Sequence, residues 1–283
     1  MKTETKPFEI GLCSWCLHHI EAPAIVSALQ HFHLRVVHLA LGPLAQLPPQ
    51  EQTHAIMQFE ASELAISCGM VGFPGENYST LKTIHDTGGL VPDATFEERF
   101  GLAMACGRIA HSMGLTQIST HAGFIPEQRE RAAFDKLRDR LARLADEYAK
   151  MGLALLFETG QESAETLVTF LKALNRPNVG VNFDPANLLL YGKGDPVAAI
   201  ATLAPYIRHV HAKDAKVHRP APVEATAWRG VETPLGQGDA NLAGVIAALR
   251  QHGYRGPLVI EREAGHDRIA DIQAGITFLQ TAL

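Results

Sequence analysis

VGVNFDPAN, residues 179–187, is a short apolar run that ends in an acidic side chain, Asp184, just before a proline. The run is too short for a helix, carries Val at alternate positions and stops at a turn signal, so it reads as a buried parallel strand. Three more runs of the same kind lie around it. LALLFETG (153–160) ends at Glu158, RHVHAKD (208–214) holds His211, and PLVIEREAG (257–265) runs into Glu261. Each places one potential ligand at or near the carboxyl end of its strand. Two Glu, one Asp and one His form the oxygen-and-imidazole set suited to Mn²⁺ or Mg²⁺, with Zn²⁺ also accommodated.

Outward from these runs, apolar strands alternate with amphipathic stretches. Strands are expected near 8–13, 35–40, 65–70, 115–121, 153–158, 179–184, 207–212 and 257–262. The spacing leaves room for one helix after each strand, and no composition shift marks a second domain. Eight βα units predict a single-domain (β/α)8 TIM barrel over 1–283. The helices carry their own signals. Thr95 and Glu98 fit a capping box ahead of a helix over 96–113. Phe134, Leu137, Leu141, Leu144 and Tyr148 make an apolar stripe on a helix over 127–150, and Gly152 follows as its stop. Asp195 and Pro196 read as an N-cap and a first-turn proline. Asp239 precedes a helix carrying Leu242, Val245, Ile246 and Leu249, which Gly253 ends.

Two segments exceed ordinary loop lengths, 71–95 after the third strand and 213–240 after the seventh. Both leave the carboxyl end of a strand, where barrel enzymes keep their active sites, so both are expected to be active-site loops.

Taken singly, an acid at a strand end is more often a helix cap, and a His in an apolar strand a hydrogen-bonded core residue. Four on successive strands converge on one barrel mouth and point to an ion. Side chains alternate along a strand, so Asn182 faces the same way as Asp184, and His209 the same way as His211. Both are expected one layer deeper, supporting the ligands by hydrogen bonds. His121, ending the fourth strand in QISTHAGF, shares the rim as a further ligand or a substrate contact. Asn187, Lys213 and Asp214 are candidate substrate-binding groups, with Asn187 alternatively capping its turn and Lys213 and Asp214 alternatively holding the lid. Glu158 and Glu261, separated by two strands across the ring, are the natural pair to move a proton beside a carbonyl and hydroxyl chelated by the ion.

The chain has 283 residues, 46% hydrophobic and 19% charged, with net charge −5. No Lys/Arg cluster matches a phosphate backbone, so nucleic acid is not the expected partner. The first residues carry no signal-peptide core and no later run is long enough to span a bilayer, so no membrane association is expected and cytoplasm is the expected compartment. Cys13 and Cys16 form a lone CxxC; buried free thiols are expected there rather than a zinc ribbon or redox pair.

The stretches IGLCSW, STHAGFIP, FETGQES, VGVNFDPANLLLYG, RHVHAKDAK, PLGQGD and VIEREAG occur in the order of a known family. Over residues 10–265 the chain resembles the xylose isomerase-like TIM-barrel superfamily, in its sugar phosphate isomerase/epimerase branch. The resemblance implies the metal set Glu158, Asp184, His211 and Glu261, with both glutamates as acid and base in a sugar isomerase or epimerase. It departs from ketose 3-epimerases at Asn187, where they carry a substrate-binding His, and at Ala164, where they carry a second Glu. Endonuclease IV-type enzymes of the superfamily need a His at position 187 and an Asp-x-His within 213–240, and neither is present. The runner-up is a lyase of the inosose or dehydroshikimate dehydratase kind, which begins with the same proton abstraction. A non-catalytic sugar-binding barrel is the third reading. Barrels of this kind often pair, so a homo-oligomer is compatible.

Overall fold

The computed structural model describes residues 8–17 and 19–283. Eight parallel strands close into a barrel: β1 (Ile10–Cys13), β2 (Val36–Ala40), β3 (Ala65–Val71), β4 (Gln117–Thr120), β5 (Ala154–Glu158), β6 (Val179–Phe183), β7 (Ile207–Ala212) and β10 (Leu258–Ile260). They follow one another round the ring in chain order, and β10 closes it against β1, with Ile10 opposite Leu258. The fold is the single-domain (β/α)8 barrel that the alternation of runs predicts. Strand positions agree to within two residues at each end; β6 and the last strand stop early, so that Asp184 and Glu261 each sit one residue beyond the last ladder pair.

The helices cover the barrel with the faces expected of them. Phe134, Leu137, Leu141, Leu144 and Tyr148 are all buried on α6 (Arg131–Lys150). Its Tyr148 donates to the carbonyl of Ala103 at 2.8 Å, tying it to α5 (Phe96–Ser112). Phe170, on α7 (Ala164–Leu174), meets Phe134 and Phe157 edge-on, so aromatic edges lock two helices to β5. Gly152 and Gly253 adopt φ of +73° and +82°, as helix-ending glycines do. Asp195 caps α9 (Pro196–Leu203), accepting from the N–H of Ala198 at 2.8 Å.

One cap differs from expectation. Thr95 makes no side-chain cap: a 3₁₀ turn over Asp93–Thr95 leads directly into α5, which leaves Thr95 at φ −113°, ψ 0° instead of the extended backbone a capping box needs. The cap of α10 (Leu242–Gln251) is Asn241, whose side chain accepts from the N–H of Gly244, while the Asp239 carboxylate accepts from Val217.

The two long loops are structured. Segment 71–95 contains α4 (Leu81–Thr87), opened by a capping box between Thr80 and Thr83. Segment 213–240 contains an antiparallel hairpin of β8 (Asp214–Val217) and β9 (Gly230–Thr233). The loops touch across the barrel mouth, where Trp228 donates its indole N–H to the carbonyl of Tyr78 at 3.1 Å and Leu81 donates to Thr226 at 2.9 Å. Among the described residues no helix is long and apolar enough to cross a membrane.

Candidate metal centre

The parallel ring aims all its strand ends at one mouth, which brings Glu158, Asp184, His211 and Glu261 together. One ligand atom from each lies within 4.8 Å of the others. His211 Nδ1 is 3.2 Å from Glu261 Oε2, 3.4 Å from Glu158 Oε1 and 3.7 Å from Asp184 Oδ2. All four are buried.

Asp184 combines two readings that the sequence left as alternatives. Its Oδ1 accepts from the N–H of Asn187 at 3.0 Å, capping the short helix α8 (Pro185–Leu190). Its Oδ2, fully buried, has no hydrogen-bond partner and faces the cluster. An ionised oxygen buried without a partner is costly, and a cation removes that cost. Hard carboxylate oxygens with one imidazole are the donors of Mg²⁺ and Mn²⁺. Ligand atoms about 2.1 Å from such an ion stand up to about 4.2 Å apart, and the four atoms here all lie within 4.8 Å of one another, so at most small inward shifts are needed. The residues therefore fit a divalent cation.

The charges of the site depend on one another. Burial alone would raise the Glu261 carboxyl, but Lys213, 2.8 Å away, and His211 hold it well below the usual range. Glu158 is also lowered: burial opposes this, and the charges of His121 and His211 outweigh it. Asp184 is pushed up to about 6 by burial, only partly offset by Lys213 at 3.8 Å. Burial would lower Lys213 and His211, yet the surrounding carboxylates keep both well above their ordinary values.

A second layer fixes these side chains. Asn182 donates to Glu158 Oε2 at 3.3 Å and accepts from His209 Nδ1 at 2.9 Å, with His209 Nε2 meeting Ser67 Oγ at 3.0 Å. Both residues expected beneath the ligands lie there. The sequence reading passed over Trp15 and His38. Trp15 donates to Glu261 Oε1 at 2.7 Å. His38 Nδ1 lies 2.9 Å from His211 Nε2, and its Nε2 lies 2.9 Å from Ser119 Oγ. If His211 offers the Nδ1 lone pair to an ion, its Nε2 carries the proton and donates to His38, which in turn donates to Ser119. His38 sits in an apolar strand, as His211 does, so the same signal was available in β2.

Above the ligands a cavity of about 800 Å³ opens under the two loops. Three of the four candidate substrate groups, His121, Asn187 and Lys213, line it. Asn187 also donates to Glu158 Oε1 at 3.1 Å, and His121 Nε2 is 3.6 Å from the same oxygen. Asp214 does not reach the cavity. Its carboxylate accepts from the N–H groups of Ala215, Gly236, Gly238 and Ala240, so it organises the hairpin loop, the alternative role open to it. Gly236 and Gly238 belong to that turn. The four cysteines are buried and unpaired.

Comparison with known proteins bears on this geometry. Residues 77–282 match the family model described as xylose isomerase-like TIM barrel. A xylose isomerase domain protein from Planctomyces limnophilus superposes with a TM-score of 0.86 at 32% identity, over 98% of this chain and 97% of that one. A probable 3-DHS dehydratase, AsbF of Bacillus anthracis, shares the fold at 19% identity and a TM-score of 0.71, covering 96% and 98%. A D-allulose 3-epimerase from Methylomonas does so at 16% and 0.70, covering 98% and 99%. The rhizopine catabolism protein MocC of Rhizobium meliloti is 30% identical over 167 residues, 49% of this chain and 50% of that protein. The chain thus matches about half the length of that curated relative.

Proposed function

Since the chain belongs to the xylose isomerase-like TIM-barrel family, we propose that it is a divalent-metal-dependent isomerase or epimerase of a small polyhydroxylated ketone or aldehyde. The observation that carries this reading is the unpartnered Asp184 Oδ2 among Glu158, His211 and Glu261. Glu158, Asp184, His211 and Glu261 hold Mn²⁺ or Mg²⁺, which supplies a Lewis acid to polarise a carbonyl and an adjacent hydroxyl.

The two glutamates differ in their surroundings. Glu158 is held by the amides of Asn182 and Asn187 with His121 and His211 beside it and has no lysine partner, so it is the carboxylate placed to take a proton from the carbon beside the carbonyl. Glu261 has one oxygen on Trp15 and the other on Lys213, so it is a fixed acceptor with an ammonium beside it as proton source. His121 and Asn187 bind and orient substrate hydroxyls beside Glu158, and the loops exclude water.

The substrate is unphosphorylated. The cavity wall carries Glu76, Glu232, Glu261 and Glu263. Its lysine, Lys213, is bound to Glu261 and Glu263, and Arg262 is held by Glu232 and Asp271. A phosphate dianion would meet acidic walls with no free lysine or arginine among the described lining residues to receive it.

Lys213 also favours a second reading. An ammonium in the wall can protonate a departing β-hydroxyl, which turns the same proton abstraction into a dehydration. Both readings meet one test, NMR of ketoses, inososes and their phosphates after incubation in D₂O with Mn²⁺- or Mg²⁺-loaded protein and removal of the metal. Deuterium beside the carbonyl with a new epimer or isomer supports the first reading, and an unsaturated product supports the second. Glu158→Gln is expected to lower exchange at least a hundredfold with the fold retained; exchange at the wild-type rate would remove Glu158 as base.

A further inference from the structure

Below the carboxylates a different donor set comes together. Cys13 and His38 are register partners on adjacent parallel strands, so their side chains enter the barrel side by side. Cys13, His38 and His211 each offer a donor atom within 4.8 Å of the others, and all three are fully buried. Neither Cys13 nor His38 lines the cavity, so this set lies off the substrate's path. Trp15 packs edge-on against His38 with ring centroids 4.9 Å apart.

We infer that Cys13, His38 and His211 form a second cation site, selective for a thiophilic divalent ion such as Zn²⁺ and joined to the first through the His211 ring. A thiolate with two imidazoles suits Zn²⁺ and is poor for Mg²⁺ or Mn²⁺, whereas the carboxylate set above has the opposite preference. Around a tetrahedral ion with Zn–N near 2.0–2.1 Å, two nitrogens stand roughly 3.3 Å apart. His38 Nδ1 and His211 Nε2 are 2.9 Å apart, so these two need part by only a few tenths of an ångström, and the Cys13 Sγ, within 4.8 Å of a donor atom of each, would close in on them.

Such an ion would take the Cys13 thiolate, His38 Nδ1 and His211 Nε2, the thiol proton and the His211 Nε2 proton leaving as it binds, while Nδ1 of the same ring stays turned to the carboxylates. Cys16 is not part of the set: its Sγ accepts from the N–H of Arg262 at 3.0 Å.

Co²⁺ is the probe, because it occupies both kinds of site and reports a thiolate ligand by a charge-transfer band in the near ultraviolet. Titration of metal-free wild-type protein is expected to give two Co²⁺ per chain, one of them with the thiolate band. Cys13→Ser is expected to bind one Co²⁺ without the band. His38→Gln, which keeps the thiol, is expected to weaken the second ion at least tenfold. Circular dichroism and retention of one Mn²⁺ by electron paramagnetic resonance check that each variant is folded. A wild-type stoichiometry of one without the band, or a band that persists in Cys13→Ser, would overturn the inference whatever the variants' stability. Failure of wild-type protein to bind Mn²⁺ would count against the upper centre instead, so the two readings fail separately.

Discussion

Lys213→Met tests whether the buried ammonium is the counter-charge of the metal-free cluster. Methionine keeps an unbranched stem and removes the charge. The ammonium lies 2.8 Å from Glu261 Oε2 and 3.8 Å from Asp184 Oδ2, and the three side chains are at most 7% exposed. At an effective dielectric near 20, a pair about 4 Å apart attracts by about 4 kcal/mol, so the two contacts together approach about 8 kcal/mol. Part of this is recovered when a carboxyl takes up a proton, and Asp184, already at about 6, is the readiest to do so. The net loss should match that of a broken buried ion pair, about 3–5 kcal/mol, or a fall in Tm of roughly 10 °C. Thermal melts in EDTA and in saturating Mn²⁺ give the decisive comparison. The ion supplies the missing positive charge, so the deficit should shrink by more than half once Mn²⁺ is bound. A deficit below about 1 kcal/mol in EDTA, or one equal in the two buffers, would refute the argument.

Further outcomes follow from neighbouring contacts. Gly160 sits at φ +134°, and a Cβ there would lie 2.4 Å from the Cβ of Asn187. Gly160→Ala should cost about 1–3 kcal/mol in denaturant melts and impair turnover by moving Asn187 off Glu158. Mn²⁺ affinity, measured by titration calorimetry, should fall about tenfold per unit as pH drops below about 6, because the ion needs Asp184 ionised. The sign of the stability term is the reverse: with its folded value raised from 3.8 to about 6, Asp184 favours the metal-free fold when protonated. That contribution is complete below about 3.8 and is lost as pH rises through about 6. Trp228→Ala removes the indole bond to Tyr78 and the edge contact with Tyr191, so KM should rise roughly tenfold with a smaller change in kcat. An unchanged KM would show that the clasp does not hold substrate in.

The barrel and the convergence of Glu158, Asp184, His211 and Glu261 were legible because both rest on periodicity. Each ligand ends an apolar run, and a parallel ring gathers the ends of such runs. The support from the first strands was not legible. Trp15 lies just past β1 in a 3₁₀ turn, and nothing local to IGLCSW tells that its indole reaches Glu261. His38 carried the same signal as His211, but no neighbouring strand end held a carboxylate to draw attention to it. Asp214 was ambiguous because an acid beside a Gly-rich turn can serve a ligand or backbone amides equally well. The choice depends on how β8 turns away from β7, which the spacing of residues does not encode. Thr95 and Glu98 satisfy the capping pattern by residue type, yet the preceding 3₁₀ turn removes the backbone geometry the pattern requires.

The bond from Trp15 to Glu261 joins residues 246 positions apart, and β1 finds its outer neighbour only in β10. During synthesis β1 therefore keeps one edge unpaired until β10 has emerged. Contacts so distant along the chain are slow to form. The carboxylates of Glu158 and Asp184 are made before the residue that completes their ring. Ring closure thus acts as a timer, and the acidic cluster is complete only once its last wall has been set.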